Sequence, residues 1–251
     1  MALLLETEDY RIDLRSPKWR SDDAGRLLYW DSLGGEQVPR AQIEEGELPR
    51  IEDNWAAIRI AGREMTLLAD LVRSHALSYA RDGGRWVVSD SPQAMREMLG
   101  DWRLDTQASE VFKLTGFTLN EKTLIDGVSV VEAGSRVLLP FEAAQADITF
   151  WGVPLYDSQQ VEDPEEFSLL YGGAVREAFS TLLSRTGERQ LVVPLSGGLD
   201  SRLIALLLRE LEAPSVLAFT YGKPGSQEAQ IASDVASELG FDFVFVPMEP
   251  A

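Results

Sequence analysis

The stretch that most restricts the fold is LVVPLSGGLDSRLIALLL, residues 191–208: an apolar run, two glycines between a serine and an Asp-Ser pair, then a second apolar run. A short apolar run ended by glycine fits a buried strand, and the longer run after the turn fits a helix. After Gly187 the pattern repeats as strand 190–195, glycine turn, helix 200–211, strand 215–220, loop, helix 226–239 and strand 241–246. Repeated βα units with near-continuous apolar strands predict a parallel sheet covered on both faces. In such a sheet a ligand sits beyond the carboxyl ends of the strands, where helix N-termini offer free N–H groups and partial positive charge. Ser196-Gly197-Gly198-Leu199-Asp200-Ser201 falls at that place.

Two readings of this turn follow. As an anion cradle, Gly197 and Gly198 supply positive φ and close main-chain approach, Ser196 and Ser201 add hydroxyl donors, and Asp200 holds a cation that neutralises a polyphosphate. As plain architecture, the glycines only make a tight turn and Asp200 or Ser201 only caps the helix. The string is neither a Walker loop, since no Gly-Lys-Ser/Thr follows, nor a G-x-G-x-x-G dinucleotide fingerprint.

Upstream, the first ~155 residues read as short strands with few long helices. Leu27–Trp30, Trp55–Ile60, Thr66–Asp70, Arg85–Val88 and Ser135–Leu139 are strand-sized, and Asp82-Gly83-Gly84 is a hairpin signal. Ser91-Pro92 opens a helix from Gln93 to about Leu99. A boundary falls near Trp151-Gly152-Val153-Pro154, with Asp157-Ser158-Gln159-Gln160 as linker. Asp163-Pro164-Glu165-Glu166 then starts a helix whose Leu170, Ala174, Ala178 and Leu182 line one face.

Composition removes several function classes. With 23 Lys+Arg against 41 Asp+Glu, the net charge of -18 repels nucleic acid and anionic membrane. There is no cysteine, so thiol catalysis, disulfides and Cys-zinc sites are excluded, and one histidine, His75, disfavours a His-rich metal site or a His-dependent triad. His75 reads as an ordinary strand or loop residue. Glu44-Glu45 and Glu165-Glu166 read as solvated charge, and Asp22-Asp23 as a turn rather than a metal site. MALLLETEDYRID is too short in its apolar run for a signal peptide, and no stretch approaches the ~20 apolar residues of a membrane span, so the sequence reads as soluble and cytoplasmic.

LSGGLDS, residues 195–201, resembles the pyrophosphate loop of the ATP pyrophosphatase superfamily, and its leucine variant is similar to asparagine synthetases and their relatives, including β-lactam synthetases. The resemblance implies ATP and Mg2+ as ligands: the loop grips the β- and γ-phosphates while a substrate carboxylate attacks the α-phosphorus, giving an acyl-adenylate and pyrophosphate. It assigns ATP binding to Leu195, Ser196, Gly197, Gly198, Leu199, Asp200, Ser201 and Tyr221. Asp200 and Ser196 take the catalytic part, and Asp200 also holds Mg2+. Phe219-Thr220-Tyr221-Gly222 stands where the family's Phe-x-x-Gly strand end lines the adenine pocket, with Tyr221 as the adenine neighbour or, alternatively, a surface residue of one strand. Arg202 departs from the second serine that relatives often carry.

The first half is similar to the class II glutamine amidotransferase fold through Asp70, Leu77, Tyr79, Ser89 and Asp90, and through Thr123, Gly127, Gly134 and Trp151. Glutamine hydrolysis there needs an N-terminal cysteine. Position 2 is Ala2, and the Asn-Gly and Arg-Gly-Pro-Asp motifs are missing, so a glutaminase-like domain without glutaminase activity is predicted. The resemblance thus implies an α/β (α+β) chain. Residues 1–155 would form an Ntn-like αββα amidotransferase-like sandwich, and 163–251 the first part of a doubly wound parallel α/β ATP-pyrophosphatase domain (adenine nucleotide α-hydrolase-like). Its partners would be a small-molecule carboxylate and ammonia or an amine donor. Later family segments are missing before Ala251, which implies a fragment or a site completed by a C-terminal remainder or second chain, and a homodimer is compatible. Intramolecular, β-lactam synthetase-like amide formation and a non-catalytic nucleotide-binding regulatory subunit are the alternatives.

Overall fold

The computed structural model describes residues 3–31, 43, 54–151 and 161–248. Ala2, Glu44-Glu45 and the linker over 152–160 lie outside the described residues. The chain forms two compact units, Met1–Tyr156 and Asp157–Ala251.

The first unit is built on two sheets. One has the order β1 (Leu3–Glu6), β2 (Tyr10–Leu14), β8 (Arg85–Ser89), β7 (Ser78–Asp82) and β9 (Val128–Val130). The other runs β11 (Asp147–Phe150), β10 (Ser135–Pro140), β6 (Glu64–Ala69), β5 (Trp55–Ala61), β4 (Leu27–Asp31) and β3 (Trp19–Ser21). Alternating side chains of both sheets, among them Ile12, Leu14, Trp86, Ile58, Leu67 and Val137, share one buried core, as two sheets packed face to face require. Helix α1 (Pro92–Leu99) covers the outer face of the first sheet through Met95 and Met98, and α2 (Thr106–Thr115) follows it. Gly83 and Gly84 carry φ of 54° and 90° in the β7–β8 hairpin, the geometry the Asp-Gly-Gly signal predicts. Ser91 caps α1 through Ala94 N–H with Pro92 in the first turn, as its sequence implies.

The second unit has a three-stranded parallel sheet, β12 (Leu191–Pro194), β13 (Val216–Gly222) and β14 (Asp242–Pro247), in that order. Helices α4 (Leu199–Glu210) and α5 (Gln227–Leu239) are the crossovers, and α3 (Pro164–Thr186) precedes the sheet. Leu195, Ala205, Ala218, Ala232 and Ala236 form a core between sheet and helices. Phe179 and Leu183 of α3 pack against Val193, Leu208 and Val216, and Arg176 meets Glu210 at 2.7 Å.

The second unit departs from the sequence expectation in two respects. The sheet is covered on one face only among the described residues: Val192, Tyr221, Val244 and Val246 on the opposite face are 45–63% exposed. Both crossovers step in one direction along the sheet, and right-handed connections then place both helices on one side. On α3 the packed residues are Phe179 and Leu183, with half-buried Val175 in line with them, while Leu170, Ala174, Ala178 and Leu182 face solvent. Two apolar stripes of the same period lie about one residue apart, and packing selects the one with the larger side chains.

Candidate functional site at the glycine turn

Leu195 extends β12, donating its N–H to Phe219 O at 2.8 Å, and its side chain is 1% exposed inside the core. What Leu195 presents outward is main chain. The strand therefore delivers the next six residues to the carboxyl edge of the sheet.

There the chain turns into α4 with Gly198 as N-cap, at φ -76° and ψ 160°, and with no side-chain capping bond. The reading in which Asp200 or Ser201 serves as the cap is thereby excluded. The other four described helices are each capped by a side chain: Ser91, Asp105, Asp163 and Ser226. An uncapped α-helix leaves first-turn N–H groups without an intrahelical acceptor and concentrates partial positive charge there.

The hydroxyls of Ser196 and Ser201 lie 2.9 Å apart. Ser201 Oγ also accepts the Ser196 N–H at 3.1 Å, and Ser196 Oγ accepts the Gly198 N–H at 3.2 Å. The two serines thus tie the end of β12 to the first turn of α4. The Arg202 Nε donates to Gly198 O at 3.1 Å, which brings a cation against the same turn. Leu199 is 77% exposed and Asp200 is exposed, so the mouth of the turn is open.

The glycines do not work through positive φ, contrary to the expectation from sequence: neither Gly197 nor Gly198 has it. Their role is steric. A Cβ on Gly198 would come within 3.2 Å of Ser196 Oγ, crowding the hydroxyl that holds the turn. At Gly197 a Cβ would meet Ile231 at 3.6 Å and Glu228 at 3.8 Å, which is ordinary contact. Gly197 itself adds no side chain over the main chain at this point, and Ile231 and Glu228 are its nearest neighbours.

Tyr221 is 63% exposed near the end of β13, beside buried Thr220. Sequence reasoning passed over Glu228, in the first turn of α5 and next to Gly197, and Lys223, exposed just beyond β13. The signal for both was position: each follows the carboxyl end of a strand in a βα unit.

Asp200 is one exposed carboxylate. Among the described residues no group of three or more His, Asp or Glu side chains is arranged to hold a metal. Mg2+ takes one or two protein carboxylates and fills its shell with phosphate oxygens and water, so a single Asp200 fits that ion with a polyphosphate and does not form a self-sufficient metal site.

In the first unit Asp70, Gly127, Gly134 and Trp151 serve turns and packing. Buried Asp70 accepts N–H groups from Trp55, Val72 and Ser74 at 2.8–3.0 Å. Gly127 and Gly134 have φ of 73° and 61°, and Trp151 stacks on Trp55 at 5.9 Å. Asp22 accepts from Arg26 and Leu27 N–H in the β3–β4 turn, as predicted for a turn residue. His75 stacks on Trp30 at 4.3 Å and meets Asp90 Oδ2 at 3.0 Å. Burial raises the Asp90 pKa, but bonds from His75, from the Arg15 and Ser16 N–H groups and from the Trp19 indole outweigh it and hold the pKa at about 2.

No described helix is long and apolar enough to cross a membrane. No curated protein matches this chain. A solved structure of glutamine phosphoribosylpyrophosphate (PRPP) amidotransferase from B. subtilis, complexed with ADP and GMP, is 12% identical over 92% of this chain, with a TM-score of 0.28. The chain spans 48% of that protein's length. Residues 170–251, which hold the turn and all three parallel strands, match the asparagine synthase family.

Proposed function

We propose that the chain is an ATP-dependent, adenylate-forming amide synthetase, with ATP bound at the Ser196–Ser201 turn. The observation that carries this reading is the uncapped N-terminus of α4 at the carboxyl end of a parallel strand, inside the segment that matches asparagine synthase. A carboxylate oxygen would attack the α-phosphorus, the bond to the β-phosphate would break, and pyrophosphate would leave. Ammonia or an amine would then attack the acyl carbon and release AMP.

First-turn N–H groups of α4 and the Ser196 and Ser201 hydroxyls would receive the pyrophosphate oxygens, with Gly197 letting them approach the main chain. Asp200 would hold Mg2+ against the phosphates, and the bound ion would neutralise their charge. Arg202 and Lys223 are the cations nearest in sequence to this edge, and Tyr221 would flank the adenine. Much of the rate would come from holding carboxylate and α-phosphorus in line.

Without any cysteine this chain has no thiol of its own for glutamine hydrolysis, which favours ammonia or a substrate amine as the nitrogen source. An intramolecular amide former, as in β-lactam synthetases, is the second reading supported by that absence. The first unit would then be an amidotransferase-like, Ntn-type scaffold without glutaminase chemistry.

The test is ATP binding by calorimetry and carboxylate-dependent ATP–pyrophosphate exchange, on this chain and on longer forms of the polypeptide. Asp200→Asn and Gly197→Ala should each weaken ATP binding roughly ten- to a hundredfold while leaving folding intact, since each disturbs a charge-assisted contact. ATP affinity unchanged in both variants, or undetectable in every form, would sink the proposal.

A further inference from the structure

The first unit contains a pocket of about 450 Å3, within the roughly 300–1,000 Å3 range of small-molecule sites. Its lining is mainly apolar. Met95, Ile125 and Val128 come from a buried cluster between α1 and the first sheet, and they give it an apolar floor. Phe112 and Phe117 line it while 42% and 57% exposed, so large aromatic surface is left facing an opening.

Two cations also line the pocket. Lys122 is loosely held, its Nζ 3.6 Å from Asp105, whose carboxylate already caps α2 through Ala108 N–H. Arg73 is exposed and makes no side-chain hydrogen bond or ion pair among the described residues. Its backbone sits at φ +52°, an unfavourable conformation for a residue with a side chain. Asp70 enforces that conformation by accepting the N–H groups on either side of Arg73, and its other oxygen is occupied by Trp55 N–H. The carboxylate that shapes the turn is thus engaged with main chain. On a chain of net charge -18, a guanidinium with no ion-pair partner among the described residues, beside an apolar cavity, is a local reversal of the surface potential.

An apolar floor with an exposed guanidinium at its edge complements one chemistry. We propose that this pocket binds a monocarboxylate with an apolar body, the body lying on Met95, Ile125 and Val128 and the carboxylate pairing with Arg73. The pairing geometry suits guanidinium better than ammonium, because both carboxylate oxygens can be engaged together. This inference concerns the first unit and stands independently of the ATP reading.

Calorimetric titration of the chain with 4-phenylbutyrate and octanoate, each against its neutral amide, tests it. The acids should bind saturably, roughly five- to tenfold tighter than the amides, with the margin shrinking in about 0.5 M NaCl. Arg73→Ala should bring acid affinity down to the amide level, and Arg73→Lys should keep part of the preference. Arg73→Gly removes the charge while relieving the backbone, so it should behave like Arg73→Ala without loss of thermal stability. Acids and amides binding equally, wild-type affinity in Arg73→Gly, or no binding of either acid at millimolar concentration would each overturn the assignment.

Discussion

At the scale of single residues, Asp90 shows how one buried carboxylate is made to stay charged. Its side chain is 2% exposed, and in that position ionisation is normally disfavoured. Four donors reverse the balance: His75, two backbone N–H groups and the Trp19 indole. The folded pKa of about 2 lies below the ordinary 3.8. A carboxylate depressed in this way adds stability that is fully present above about pH 4 and is lost as pH falls through 2. The difference corresponds to about 2 kcal/mol. Asp90→Asn should therefore cost about that much at pH 7, because it leaves the donors facing a neutral acceptor. Thermal unfolding of the two proteins should differ least near pH 2, and parallel profiles from pH 7 to 2 would contradict this account.

Elements obey a different logic, because a helix or strand is chosen locally but positioned by what it packs against. Helix α3 carries two apolar stripes of equal period, and packing alone decides between them. Phe179→Ala, on the packed stripe, should cost about 2 kcal/mol, while Leu170→Ala, at a residue 56% exposed, should stay within about 0.5 kcal/mol. Urea titration of both variants checks the pair, and equal losses would show that the stripes are assigned the wrong way round. The same division explains what could be read in advance. The strands and helices after Gly187 were legible to within two residues, since apolar runs punctuated by glycine carry their own boundaries. So were the Asp82-Gly83-Gly84 hairpin and the capped start of α1. Strand β2 was not: Tyr10, Ile12 and Leu14 alternate with Arg11 and Asp13 as in a half-buried strand, but the run is only five residues long, and of its two neighbours only β1 is close in sequence, β8 lying about 75 residues away. Helix α2 was missed although Asp105 and Gly116 mark its ends, because TQASEVFKLT lacks a strong apolar stripe. At the candidate site the position of the turn was legible and its conformation was not. The Ser196–Ser201 hydroxyl contact joins residues five apart through space, which no local pattern in the sequence signals.

Over the whole chain, the feature with the widest consequence is the face of the second unit's parallel sheet that no described residue covers. Parallel sheets occur almost entirely with both faces covered, since their strands are apolar on both sides. Here Val192 is 56% exposed, Val244 and Val246 are each 45% exposed, and Tyr221 is 63% exposed, on three adjacent strands and one face. These residues are close enough in register to act together, Phe219 opposite Val244 and Tyr221 opposite Val246. A contiguous apolar surface of this kind binds amphiphilic dyes and promotes association. This polypeptide should therefore enhance ANS fluorescence under native conditions, and its apparent size in ultracentrifugation should rise with concentration. Val192→Lys combined with Val244→Lys should reduce both effects while changing the unfolding free energy by no more than about 1 kcal/mol, since neither side chain is buried. Dye binding unaffected by the double substitution would place the apolar surface elsewhere, with α4, whose Leu199, Leu203 and Leu206 are 42–77% exposed, as the next face to examine. The charge of -18 opposes self-association, so the effect should strengthen as salt screens it, and that direction distinguishes apolar contact from ion pairing between copies.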